Sequence, residues 1–187
     1  MMDAFSYLSV LISIILGLAI TQVLQGYRAL MLARGRTQLE ATPLIWSGLV
    51  LLFAAQAWWA SFGLTARHDW NFLGFAVILV QMGLIYMLSA LVLPDLEPGE
   101  QIHLGDHFER HRKAFFAFLL AMLAASIGKE AILSDRLPLP TNLAFHLAFG
   151  IGAVAGMVLR GRRAQLALAV IACAGFLSYV ALLFERL

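Results

Sequence analysis

The sequence predicts an all-α integral membrane protein, a bundle of six transmembrane helices with both termini on the outer side. Three observations carry this. Of 187 residues 61% are apolar and 13% charged, with mean hydropathy +0.85, whereas soluble domains lie near about 45–50% apolar and about 25% charged. Five apolar runs of nineteen or more residues, with a sixth at the chain start, are each long enough to cross a hydrocarbon layer of roughly 30 Å. The breaks between them are short and collect Pro, Gly and charge. This composition excludes a soluble enzyme, a disulfide scaffold and a disordered chain.

The first span, 4–33, follows Met1-Met2-Asp3. With no basic n-region and a run too long for a signal-peptide core, it is expected to stay in the protein as a helix. Ser9, Ser13, Gly17, Thr21 and Gln25 recur every fourth residue along it, a small-residue ridge expected to pack against another helix. Near its end Gln22, Gln25 and Arg28 offer amides and a guanidinium to an anionic or amide-bearing ligand; Arg28 alone reads equally as an interfacial anchor.

Arg34-Gly35-Arg36 and Pro43 open the second span, 43–66, and Arg67-His68-Asp69 separates it from the third, 71–93. Trp46 falls near one end of the second helix, and Trp58, Trp59 and Trp70 near the opposite interface, where amphipathic rings collect. Gln56 and Gln81 fall at mid-depth of two antiparallel helices. Two readings follow: an interhelical amide clasp of about 1 kcal/mol, or two groups lining a polar cavity.

Segment 94–113 is the one sizeable loop, expected to turn helical after Pro98 as an amphipathic segment whose Arg110, Arg112 and Lys113 touch anionic headgroups. Its His103, His107 and His111 stand at i, i+4 and i+8, so adjacent pairs could share a metal ion. All three cannot, because the outer two are ~12 Å apart along a straight helix. No metal and no other cofactor is therefore expected.

The fourth span, 114–133, ends in Ser126, Lys129 and Glu130; the fifth, 141–159, begins with Asn142 and His146; the sixth, 164–184, carries Ser178 and Tyr179 toward the same end. Antiparallel succession puts these polar groups at one depth. Lys129 and Glu130 point about 100° apart, so one is expected to face the bundle. Glu130, placed against the helix dipole, calls for a partner such as His146 or Arg136. Along the fifth helix Ala144, Ala148, Gly152 and Gly156 form a second close-approach face, for a neighbour in the chain or a homodimer.

Counting Lys and Arg on alternate sides sets orientation. Arg28, Arg34, Arg36, Arg110, Arg112, Lys113, Arg160, Arg162 and Arg163 make nine, against four in Arg67, Lys129, Arg136 and Arg186. The nine belong in the cytoplasm, which points to a bacterial-type inner membrane. An inverted repeat of two three-span halves finds no support, since all four Trp lie in the first half.

Enzyme signatures are sparse. No P-loop or Gly-rich strand-to-helix turn occurs, haem ligation lacks a second intramembrane His, and the balanced net charge of +2 is no footprint for nucleic acid. A serine protease needs Ser and His in contact and an oxyanion hole, whereas Ser126 and His146 fall on successive helices. Cys173 stands alone and forms no disulfide. Two functions are expected from the rest: a small-solute binder or carrier using Gln56, Gln81, Glu130, His146 and Tyr179, or an accessory subunit whose small-residue faces dock a second copy or another membrane protein, with lipid as the remaining partner.

Overall fold

A computed structural model describes residues 4–65, 69–95, 101–134 and 138–183; Arg67, His68, Pro98, Gly99, Arg136 and Arg186 lie outside them. Six helices dominate: α1 (Ala4–Leu32), α2 (Ala41–Ser61), α3 (Phe72–Val92), α4 (Leu104–Ser134), α5 (Pro140–Val158) and α6 (Arg162–Leu183). All six are long and apolar enough to cross a membrane, as an integral membrane protein requires.

Local chemistry sets the helix ends. Asn71 caps α3, its side chain accepting from the Gly74 amide at 2.7 Å, and Pro140 begins α5, where its missing N–H costs nothing. Between α5 and α6 the chain reverses at Gly161, whose φ of 107° suits a residue without a Cβ. A 3-10 turn, Phe62–Leu64, extends α2.

The fourth helix begins ten residues before the expected span. Leu104, Phe108 and Arg112 recur at i, i+4 and i+8, and all are buried, so the bundle claims one face of the segment expected to lie on the headgroups. Residues 101–103 are extended, and β1 (Thr37–Gln38) pairs in parallel with β2 (Ile102–His103). Nothing in the apolar runs announces this strand pair, because it lies in the links.

Packing order defines the architecture. The second to sixth helices form a closed ring, α2 to α3 to α4 to α5 to α6 and back to α2, while α1 packs outside it against α2 and α3. The helices alternate in direction, so one end of the bundle holds β1 and β2 and the other holds the start of α1 and the end of α6. At the β end the ring is filled. Trp46, Phe115 and Phe116 meet edge to face at 5.3–5.4 Å, with Phe108 beside them, a geometry that favours aromatic quadrupoles beyond simple burial. Trp46 is only 1% exposed, so it is a core residue and not the interfacial anchor its position suggests; Trp58 and Trp59 are exposed, as interfacial rings should be.

Arg112 is likewise buried at this end and does not reach the headgroups. Its guanidinium is buried, donating to the Gly156 carbonyl and to that of Met157 at 2.7 Å, and it pairs with Glu109 at 3.1 Å. Gln165 of α6 donates to the same Gly156 oxygen at 3.0 Å and to Leu159 at 2.8 Å. The last carbonyls of a helix have no partner within it and carry its negative dipole end, so α4 and α6 together cap α5. Nearby, the Glu40 carboxylate lies where a side chain on Gly105 would stand, and Arg162 bridges Glu40 at 3.6 Å and Asp106 at 3.4 Å.

Candidate functional site

The other end of the ring is hollow. A cavity of about 390 Å³ runs between α2, α3, α4, α5 and α6 and reaches Leu64 and Ser134 at the helix ends. Its size falls in the range of small-molecule sites, roughly 300–1,000 Å³. Gln56, Gln81, Glu130, His146 and Tyr179, each singled out in the sequence, all line it, together with Ser126, Lys129 and Asn142.

The ring's alternation brings these residues together. Ser126, Lys129 and Glu130 share one face of α4 at i, i+3 and i+4, and the antiparallel α5 presents Asn142 and His146, one turn apart, at the same level. Asn142 Nδ2 donates to Glu130 Oε2 at 3.2 Å, while His146 meets Ser126 Oγ through Nε2 at 3.0 Å. Glu130 thus takes Asn142 and not His146 as its hydrogen-bond partner; Arg136, the other expected one, lies outside the described residues.

His146 Nδ1 faces the Asn142 carbonyl at 2.9 Å. A carbonyl only accepts, so Nδ1 carries a proton, and in the neutral ring Nε2 accepts from the Ser126 hydroxyl. Successive helices therefore bring this Ser and His into contact instead of keeping them apart. Ser126 nonetheless sits within an unbroken helix, whose amides are spent on the helical ladder, so its own backbone offers no oxyanion hole. The contact is read as a clasp that holds the imidazole.

Lys129 and Glu130 both line the cavity, where only one was expected to face inward. Among the described residues the Lys129 ammonium has no carboxylate within ion-pair distance and no hydrogen-bond partner. No hydrogen bond joins Gln56 to Gln81 either. The Gln81 side-chain oxygen is buried without a partner, as is that of Asn142, and unsatisfied buried acceptors are uncommon enough to need a reason. Opposite these groups the wall is aromatic: Phe176 stacks edge to face on Phe53 at 4.9 Å, with Phe149 at 6.3–6.4 Å from both, and Phe145 meets Tyr179 at 5.3 Å. Sequence reasoning does not single out this apolar lobe, because thirteen Phe carry no positional signal in an apolar chain.

The α1 candidates lie elsewhere. No residue of α1 lines the cavity; Gln25 and Arg28 are exposed and Gln22 half-buried on a helix outside the ring. The expected ridge also faces outward, with Ser13, Gly17 and Thr21 exposed, Ser9 half-buried, and nothing within 4 Å of a side chain built on Gly17. Ser13 accepts from Trp58 Nε1 of α2 at 3.3 Å. On α5, a Cβ at Gly152 would make only ordinary contact with Leu168, whereas any side chain at Gly156 would overlap the Phe116 ring.

Of the three loop histidines two come together, His107 and His111, with ring centroids 4.5 Å apart. His103 lies on β2 and is exposed. His107 donates from Nε2 to the Leu91 carbonyl at 3.2 Å and His111 from Nδ1 to that of His107 at 3.0 Å. Among the described residues no three His, Cys, Asp or Glu are arranged to hold a metal.

No protein-family model matches the chain, and comparison with the curated proteins and with the solved structures gave no match.

Proposed function

We propose that this protein binds a small solute in the hollow end of its helix ring, as a carrier or receptor of the inner membrane. One observation carries the reading: the cavity of about 390 Å³ gathers Gln56, Gln81, Ser126, Lys129, Glu130, Asn142 and His146 and leaves two amide oxygens buried without partners. Polar groups are costly in a bilayer interior, and those facing a cavity commonly mark a solute or ion path. The excess of Lys and Arg at the β end supports placing that end in the cytoplasm. The cavity then faces outward, closed toward the cytoplasm by Trp46, Phe115 and Phe116.

Native mass spectrometry of the protein in mild detergent tests this. The expected result is a reproducible non-lipid adduct on the wild type that is lost in Gln81→Leu and in Glu130→Gln. No adduct on any species would count against it.

A second reading rests on the outward ridge of α1, where Gly17 has open space beside it. Here the protein is an accessory subunit, docking a second copy or another membrane protein through that ridge. The same spectrum decides: a stable protein complex, lost in Gly17→Leu and without a small adduct, favours the subunit.

A further inference from the structure

Resting on the solute-binding reading, we infer that the cavity selects a small zwitterion, an amine and an acid on one apolar body. The argument starts from charge. Lys129 and Glu130 are adjacent in sequence and line one cavity, and each feels the other's field, but their charged atoms do not come within the 4.0 Å of an ion pair. Each charge in such a site is costly unless matched. A ligand with only an amine would answer Glu130 and add repulsion at Lys129; a ligand with only an acid would do the reverse. A zwitterion answers both, and leaves the site neutral.

Hydrogen-bonding capacity assigns the two ends. Glu130 Oε2 already accepts from Asn142 Nδ2, and the remaining lone pairs of that carboxylate call for donors. An ammonium offers three donors and no acceptor, which suits the side of the cavity held by Glu130 and Asn142. The Lys129 ammonium has three donors and, among the described residues, no acceptor, so the ligand's carboxylate belongs there. Phe53, Phe149 and Phe176 form an apolar lobe for the body, preferring an aromatic or bulky aliphatic group met edge to face.

Three probes sharing a phenyl body separate these terms: phenylalanine with both charges, phenethylamine with the amine alone and 3-phenylpropionate with the acid alone. Titration calorimetry on the full chain in detergent is expected to show phenylalanine binding at least about tenfold more tightly than either, the scale of one charge-assisted hydrogen bond. Lys129→Gln should erase the advantage over phenethylamine and Glu130→Gln that over 3-phenylpropionate, in variants whose helical circular dichroism matches the wild type. The wild-type ranking needs no variant to fold. Equal or tighter binding of either singly charged probe would overturn the zwitterion assignment, as would failure of all three to bind. If all three fail while the native spectrum shows an adduct lost in Gln81→Leu, the solute-binding reading stands without it; if the adduct is missing as well, both fall.

Discussion

Arg112 and Gly156 stand 44 residues apart in sequence, and the guanidinium of the first donates to the carbonyl of the second. The contact locks the start of α4 to the end of α5. A buried guanidinium is retained only where its donors are answered, and here Gly156, Met157 and Glu109 answer them. Arg112→Leu should lower stability by about 1–3 kcal/mol, because it leaves the Met157 carbonyl without its donor, whereas Gly156 keeps Gln165 and the half-exposed Glu109 turns to solvent. Arg112→Lys should lose less, keeping the charge but not the planar fork. Thermal unfolding in detergent followed by tryptophan fluorescence measures both; an unchanged midpoint in Arg112→Leu would mean the cap is dispensable.

Gly156 and Gly17 make an opposed pair. At Gly156 a methyl group would run into the Phe116 ring, so Gly156→Ala should destabilise by about 1–3 kcal/mol, as overpacking does. Phe116→Leu added to it should recover part of the loss, a coupling that a double-mutant cycle reads directly. Gly17→Ala meets nothing and should stay within about 0.5 kcal/mol of wild type. Equal effects at the two glycines would contradict the packing described above.

Gln81→Leu should be tolerated by the fold. Since no hydrogen bond joins Gln81 to Gln56 and its oxygen has no partner, replacing the amide removes a desolvation penalty and should leave stability unchanged or raised by about 1 kcal/mol. An amide clasp would predict a loss of similar size. Chemical denaturation of Gln81→Leu beside Gln56→Leu separates the two signs.

His146 should show one tautomer. With Nδ1 bound to the Asn142 carbonyl, nitrogen-15 spectra of histidine-labelled protein are expected to show the neutral ring protonated at Nδ1 and accepting at Nε2. Ser126→Ala removes the donor to Nε2 and should cost about 1 kcal/mol. A ring protonated at Nε2 alone would reverse the direction of the Ser126 bond.

Depth is legible in this sequence, and azimuth is not. Short links between apolar runs force alternate directions, so counting along each run is enough to place Ser126, Glu130, Asn142, His146 and Tyr179 at one level. Which way a residue faces around its helix is another matter. In a soluble helix the polar stripe marks the outside, but a membrane helix is apolar on both its lipid and its protein faces, so small residues are the main cue, and they do not say whether the neighbour belongs to this chain or to another. The ridge from Ser13 to Thr21 faces outward, while Lys129 and Glu130, of which one was expected to face the bundle, both line the cavity. Arg112 is hidden for a related reason: a basic residue beside a loop looks solvated until the carbonyls it caps arrive from a helix 44 residues on.

The closed ring has a consequence for how the protein is made. Its last seam joins α6 to α2, two helices far apart in sequence, and α5 and α6 supply His146 and the lobe at Phe149 and Phe176. A nascent chain that has not yet reached residues 162–183 holds every polar group of the site except Tyr179 and still has no closed site, only a trough of four helices open along one flank. The chamber therefore needs α6 as its fifth wall, and no shorter stretch of the chain encloses it.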